Sequence, residues 1–138
     1  MTEKIKTKIS AGVNQKTMEK TTAKKEFTID ASGKAVGRVA TEVVKILRGK
    51  DSASFERNIA PKVTVFVTNA SKMGVTAKKA KEKKYYNYSG YPGGMRERTL
   101  NQVVSKKGFS EILRIAVKGM LPTNKLQAVM MKNLKITE

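Results

Sequence analysis

Histidine, cysteine and tryptophan are all absent from this sequence, and proline occurs only three times in 138 residues. Without cysteine there is neither a disulfide framework nor a thiolate zinc site, so nothing ties the fold to an oxidising compartment. Without histidine the commonest general base is missing. Acid is scarce as well: the 11 Asp and Glu are dispersed, and Asp30, Asp51, Glu82 and Glu97 fall in no paired or metal-ligating spacing. Neither a G-x-S-x-G elbow nor an S-x-x-K motif occurs. The chain is therefore expected not to be an enzyme and to need no cofactor, metal or small-molecule substrate. No run approaches the ~20 apolar residues that span a bilayer, and the opening MTEKIKTKISAGVNQKTMEK lacks the apolar block of a secretory signal. A cytoplasmic protein without a membrane partner is expected.

What the chain has is positive charge. Its 29 Lys and Arg against 11 acids give a formal net charge of +18. Solubility in a small domain asks for a net charge of only about 2–8. The excess opposes compaction by self-repulsion and is relieved by a polyanion, whose condensed counterions are released at each phosphate contact. A nucleic-acid partner is the consequence. A chain of this length has room for one core.

Residues 1–25 carry seven Lys and two Glu with little apolar periodicity, and read as a flexible basic arm ahead of a single domain over residues 26–138. Phe27, Thr28 and Ile29 suggest a short strand, and Asp30 to Gly33 a turn. Val36, Val39, Ala40, Val43, Ile46 and Leu47 form the apolar stripe of a helix over residues 35–47, with Gly49 as its C-terminal cap. Lys34, Arg38, Arg48 and Lys50 flank that helix and are candidate phosphate contacts. Gly37, inside it, is expected to permit a close helix-to-sheet approach. The turn does not have the spacing of a Walker loop or a dinucleotide fingerprint. After Pro61, VTVFVT reads as a buried strand, so strand, helix and strand suggest a parallel crossover.

Lys78, Lys79, Lys83 and Lys84 belong to a basic run. A short helix is expected over residues 97–106. A stronger one carries Phe109, Ile112, Leu113, Ala116, Val117 and Met120, ending near Pro122. Asn124 is placed to cap a last helix bearing Leu126, Val129, Met130 and Leu134. Arg114, Lys118, Lys125 and Lys132 are further basic candidates on these helices.

The segment YYNYSGYPGGMRERT, residues 85–99, is the most distinctive. Tyr rings stack on unpaired bases, Gly admits close backbone approach, and Arg offers forked donors to phosphate. Some of Tyr85, Tyr86, Tyr88 and Tyr91 are expected to cover the core edge instead. Tyr88, Ser89, Gly90, Tyr91, Gly93, Gly94, Arg96 and Arg98 are the candidates drawn from this segment. A nucleoid or other DNA-binding protein is the alternative that shares the charge.

SGYPGGMRERT, then RIAVKGMLP, with IDASGKAVGRVATEVVKILRGK and VTVFVTNASKMGVT before them, resembles the bacterial-type family of the large-subunit ribosomal protein numbered thirteen, over residues 27–136. The resemblance implies an α/β domain of three layers, a small parallel sheet of about four strands with helices on both faces. It also implies binding to large-subunit ribosomal RNA, support of early subunit assembly, and neighbouring large-subunit proteins around a monomer. On matching positions it makes the Ser89 to Gly94 turn, Arg96, and Arg114 with Lys118 RNA contacts. The sequence departs from the family in having Glu26-Phe27 before the first strand where Trp or Tyr is usual, and Tyr88 and Ile115 where His is frequent. It also lacks a Gly after Leu126 and has a longer arm.

Overall fold

The computed structural model describes residues 25–138, so the expected arm lies outside the described residues except for Lys25. The elements run β1 (Lys25–Asp30), α1 (Val36–Leu47), β2 (Val63–Thr68), a 3-10 turn (Ala70–Lys72), α2 (Ala77–Glu82), β3 (Lys84–Tyr88), β4 (Met95–Thr99), α3 (Leu100–Met120), α4 (Leu126–Lys132) and β5 (Leu134–Ile136). Three strands form a parallel sheet in the order β1-β2-β5, with Phe27 opposite Val65 and Val65 opposite Leu134. The α/β class, the small parallel sheet and the crossover β1-α1-β2 agree with expectation.

Two features differ. The parallel sheet has three strands among the described residues rather than about four, because β3 and β4 form a separate antiparallel pair. Its helices also pack on one face rather than both. Ile29, Val63, Val65 and Val67 are buried against apolar residues of α1, α3 and α4, with Phe27, Leu134 and Ile136 beside them. The residues that alternate with them point the other way: Glu26, Thr28, Asp30 and Lys135 are exposed, and Thr64, Phe66 and Thr68 half-buried. Polar and charged side chains cannot support a dry contact without partners, so this side carries no helical layer among the described residues. The Lys135 ammonium lies 5.1 Å from the centre of the Phe66 ring there.

The core is aliphatic. Leu47, Leu113, Val39, Val43, Val65, Val67 and Val117 are its largest fully enclosed side chains, and no polar or charged residue is buried among the described residues. Each such side chain contributes about 1.5–3 kcal/mol on leaving water. All the positive charge of this part of the chain is consequently at the surface.

Helix α1 ends as its glycine implies. Gly49, at φ 74°, donates its N–H to the Ile46 carbonyl at 2.8 Å, and Lys50 donates to the Lys45 carbonyl at 3.1 Å, which together make a Schellman cap. Gly37 does not have the expected packing role: it is exposed, and a Cβ there would meet nothing within 4 Å. Its cost is the backbone freedom it loses in a helix. Replacing Gly37 with Ala is expected to stabilise the protein by about 0.5–1 kcal/mol, read as a higher midpoint in urea with an unchanged slope.

Asp30 fastens the turn after β1. Its Oδ1 accepts hydrogen bonds from Asn69 Nδ2 (3.0 Å), the Ser32 N–H (3.1 Å) and Ser32 Oγ (2.9 Å). Those donors, Asn69 first, hold its carboxyl below the usual carboxylate range. The adjoining backbone is pinned by Gly33 N–H to the Lys72 carbonyl and Gly74 N–H to the Lys34 carbonyl, both 3.0 Å. Lys34 and Arg38 are thereby set at the start of α1.

Candidate nucleic-acid interface

The segment of tyrosines, glycines and arginines forms a β-hairpin. Lys84 faces Thr99, Tyr85 faces Arg98, Tyr86 faces Glu97, Asn87 faces Arg96, and Tyr88 faces Met95. The expected helix over residues 97–106 begins later, at Leu100, because Glu97 and Arg98 are held in this ladder. Thr99 starts it with a capping box: its hydroxyl accepts from the Gln102 N–H, and the Gln102 side chain accepts from the Thr99 N–H at 3.1 Å.

The hairpin tip is a Pro-Gly turn. The Gly94 N–H donates to the Tyr91 carbonyl at 3.0 Å, and Gly93 sits at φ 73° in the third position, behind Pro92. Gly90, at φ 90°, lets the chain enter the turn, and a Cβ on Gly94 would run into the Ser89 side chain. Gly90 and Gly93 require glycine for backbone reasons before any ligand is considered.

Directly opposed residues of an antiparallel pair project from the same face. One face of the hairpin therefore holds Tyr85, Asn87, Arg96 and Arg98, and the other holds Lys84, Tyr86, Tyr88, Met95, Glu97 and Thr99. Tyr85 is half-buried against a second apolar cluster built on Leu100, Val103 and Ile112, and burial raises its phenol above the usual range. Lys83 lies over the Tyr85 ring at 5.8 Å. The tyrosines thus divide as expected, with Tyr85 at the core edge and Tyr86, Tyr88 and Tyr91 exposed.

The other sequence candidates are spread over the surface. Lys34 and Arg38 lie at the start of α1, and Arg48 and Lys50 at its end. Lys78 and Lys79 are on α2, Arg114 and Lys118 on α3, and Lys125 and Lys132 at the two ends of α4. All are exposed except Arg48, which is half-buried, as is Gly94 in the turn. Two of the lysines already have partners: Lys34 meets Glu42 at 3.5 Å and Lys84 meets Glu97 at 2.9 Å. The remaining ion pairs among the described residues, Lys45 with Asp51 and Lys107 with Glu111, use no candidate. No described arginine is in an ion pair, so Arg38, Arg48, Arg96, Arg98 and Arg114 keep their guanidinium forks available.

Two signals for the hairpin are present in the sequence and go unused in a reading by composition. Tyr85 to Tyr88 and Met95 to Thr99 are strand-length runs about a Pro-Gly turn, and Thr99-x-x-Gln102 marks where the following helix starts. Among the described residues no acidic cluster could hold a metal ion, and no helix is long and apolar enough to cross a membrane. A cavity of about 540 Å³ beside Phe27, Ile46 and Phe55 is also lined by Asp51, Glu56, Ser52 and Ser54, and the two serine hydroxyls lie 2.9 Å apart.

Comparison with known proteins places this surface in context. The family described as Ribosomal protein L13 matches residues 24–138. Three similar proteins are each named large ribosomal subunit protein uL13. The one from Aquifex aeolicus is 46% identical over 113 residues, which is 82% of this chain and 78% of that protein. The one from Geobacter sp. strain M21 is 43% identical over 125 residues, covering 86% and 87%. The one from Psychrobacter cryohalolentis is 44% identical over 110 residues, covering 80% and 77%.

Proposed function

Because this chain belongs to the ribosomal protein L13 family of structural, non-enzymatic large-subunit proteins, we propose that it binds large-subunit ribosomal RNA through its exposed cations and supports early assembly of that subunit. The observation that carries this reading is the set of arginines without an ion pair among the described residues, on a chain of net charge +18. An exposed charge is already well hydrated, so what favours a polyanionic partner is the release of that partner's condensed counterions. Against phosphate a guanidinium adds two parallel hydrogen bonds.

The contacts fall into three groups. Arg96 and Arg98, with Lys83 nearby, offer the basic side of the hairpin, and the Ser89 to Gly94 turn supplies backbone that can approach a sugar or phosphate closely. Lys34, Arg38, Lys78 and Lys79 are candidates from α1 and α2, as are Arg48 and Lys50 beyond α1. Arg114, Lys118, Lys125 and Lys132 supply α3 and α4. We place the chain in the cytoplasm as a monomer among neighbouring large-subunit proteins. Lys34 and Lys84 contribute less than the arginines, since each must first leave a carboxylate.

Sedimentation tests the whole reading: the full chain is expected to travel with large subunits through a sucrose gradient at moderate salt. Purified protein is expected to bind folded large-subunit ribosomal RNA more tightly than duplex DNA in the same buffer. Equal affinity for both would favour a general nucleic-acid binder. Replacing Arg96 and Arg98 together with Ala is expected to weaken RNA binding about tenfold or more. It should also lower the salt slope by about one for each phosphate that is no longer neutralised. An unchanged slope would remove the hairpin from the interface.

A further inference from the structure

Seven large hydrophobic side chains are conspicuously exposed among the described residues, and four of them, Tyr86, Tyr88, Tyr91 and Met95, belong to the hairpin. Single exposed apolar residues are ordinary; a concentration on one small element marks a contact surface. Tyr86, Tyr88 and Met95 share one face, and they are 57%, 62% and 59% exposed.

The charges of the hairpin are sorted between its two faces. Arg96 and Arg98 are on the Tyr85 face, where Lys83 also lies over the Tyr85 ring. The aromatic face has one cation, Lys84, and Glu97 neutralises it at 2.9 Å. A platform that stacks bases works together with cations that track the backbone. Here those cations are on the far side of the ladder, and a carboxylate stands beside the rings. Tyrosine and methionine with little net charge are instead the composition of the centre of a protein interface.

We infer that the Tyr86, Tyr88 and Met95 face docks a neighbouring protein of the large subunit, through an apolar patch on that protein bearing acceptors for the two phenol hydroxyls. The inference rests on the ribosomal reading above and refines it: the hairpin joins two partners, with RNA on its arginine face and protein on its aromatic face. Tyr88, a candidate RNA contact by sequence, passes to the protein side.

Site-specific photo-cross-linking within purified large subunits separates the faces. The full chain carries p-benzoylphenylalanine in place of Tyr88 in one preparation and of Arg98 in another. The Tyr88 probe is expected to attach to another large-subunit protein, identified by mass spectrometry, and the Arg98 probe to ribosomal RNA. Attachment of the Tyr88 probe to RNA, or to nothing, would overturn the two-partner hairpin while leaving the RNA reading in place. Failure of the unsubstituted chain to enter large subunits would overturn the ribosomal reading itself. A second arm uses Tyr86→Ser, Tyr88→Ser and Met95→Ser together, with folding checked by circular dichroism. Its affinity for isolated ribosomal RNA is expected within about twofold of the parent with the same salt slope. A tenfold loss by the folded variant would return the aromatic face to RNA.

Discussion

Raising the salt from about 50 to about 200 mM is expected to lower the affinity of this chain for folded large-subunit ribosomal RNA by roughly three to five orders of magnitude, if about six to ten phosphates are neutralised as in comparable nucleic-acid complexes. That number of contacts is within reach of the described surface. Among the described residues the arginines make no ion pair, and of the candidate lysines only Lys34 and Lys84 are held by acids. The physical origin of the slope is the counterion atmosphere rather than the strength of any one contact. Each ammonium or guanidinium that takes up a phosphate frees a condensed ion, and added salt makes that release less favourable. Titration of binding across several salt concentrations, plotted as logarithms, gives the number directly. A slope near one or two would mean that a single small patch holds the RNA, and the picture of several basic groups acting together would fail.

The parallel part of the fold was legible because its signals are local and strong. VTVFVT is a strand at the boundaries its composition suggests, Val63–Thr68, and the stripe from Val36 to Leu47 forms α1 with Gly49 beyond it. Asn124 also acts as its position implies: its Oδ1 accepts from the Gln127 N–H at 3.1 Å at the start of α4. What was not legible depends on partners distant in sequence. Leu134 continues the apolar stripe of α4 on paper, but the helix stops at Lys132 and Leu134 instead pairs beside Val65 in the sheet. Glu97 and Arg98 suit a helix by propensity, and the ladder to Tyr86 and Tyr85 overrides it.

For the candidate site, composition proposes residue types but cannot assign their directions. Alternation along a strand puts Arg96 and Arg98 on one face and Met95 and Glu97 on the other, but only the register with β3 shows which tyrosines accompany each pair. The sequence likewise treats Lys84 as one more cation in a basic run. Its pairing with Glu97, which raises its pKa, follows from a hairpin that closes 13 residues apart. Charge counted along a chain therefore overstates what a partner can use, and the arginines are the more reliable indicators because none of those described is engaged internally.

A large stability effect is expected at Gly108. The capped segment from Leu100 and the apolar stripe from Phe109 to Met120 are the two helical halves of α3, as the sequence suggests, and they meet at this glycine, whose φ 76° and ψ 178° are non-helical. That backbone region is essentially open to glycine alone, and an L side chain there costs about 1–3 kcal/mol. The break also exposes the N–H groups that begin the second half of the helix. Glu138 answers them: its Oε1 accepts from the Ser110 N–H at 3.2 Å, and a Cβ on Gly108 would collide with the same carboxylate. Gly108→Ala is therefore expected to incur backbone strain and to displace a cap worth about 1 kcal/mol, for a total loss of about 2–4 kcal/mol by urea denaturation. Glu138→Ala should lose only the cap, about 1 kcal/mol. If the two substitutions act on one interaction, the double variant will be less destabilised than the sum of the singles. Additive losses would show that the glycine and the carboxylate stabilise α3 independently, and a neutral Gly108→Ala would mean that the two halves can straighten into one continuous helix.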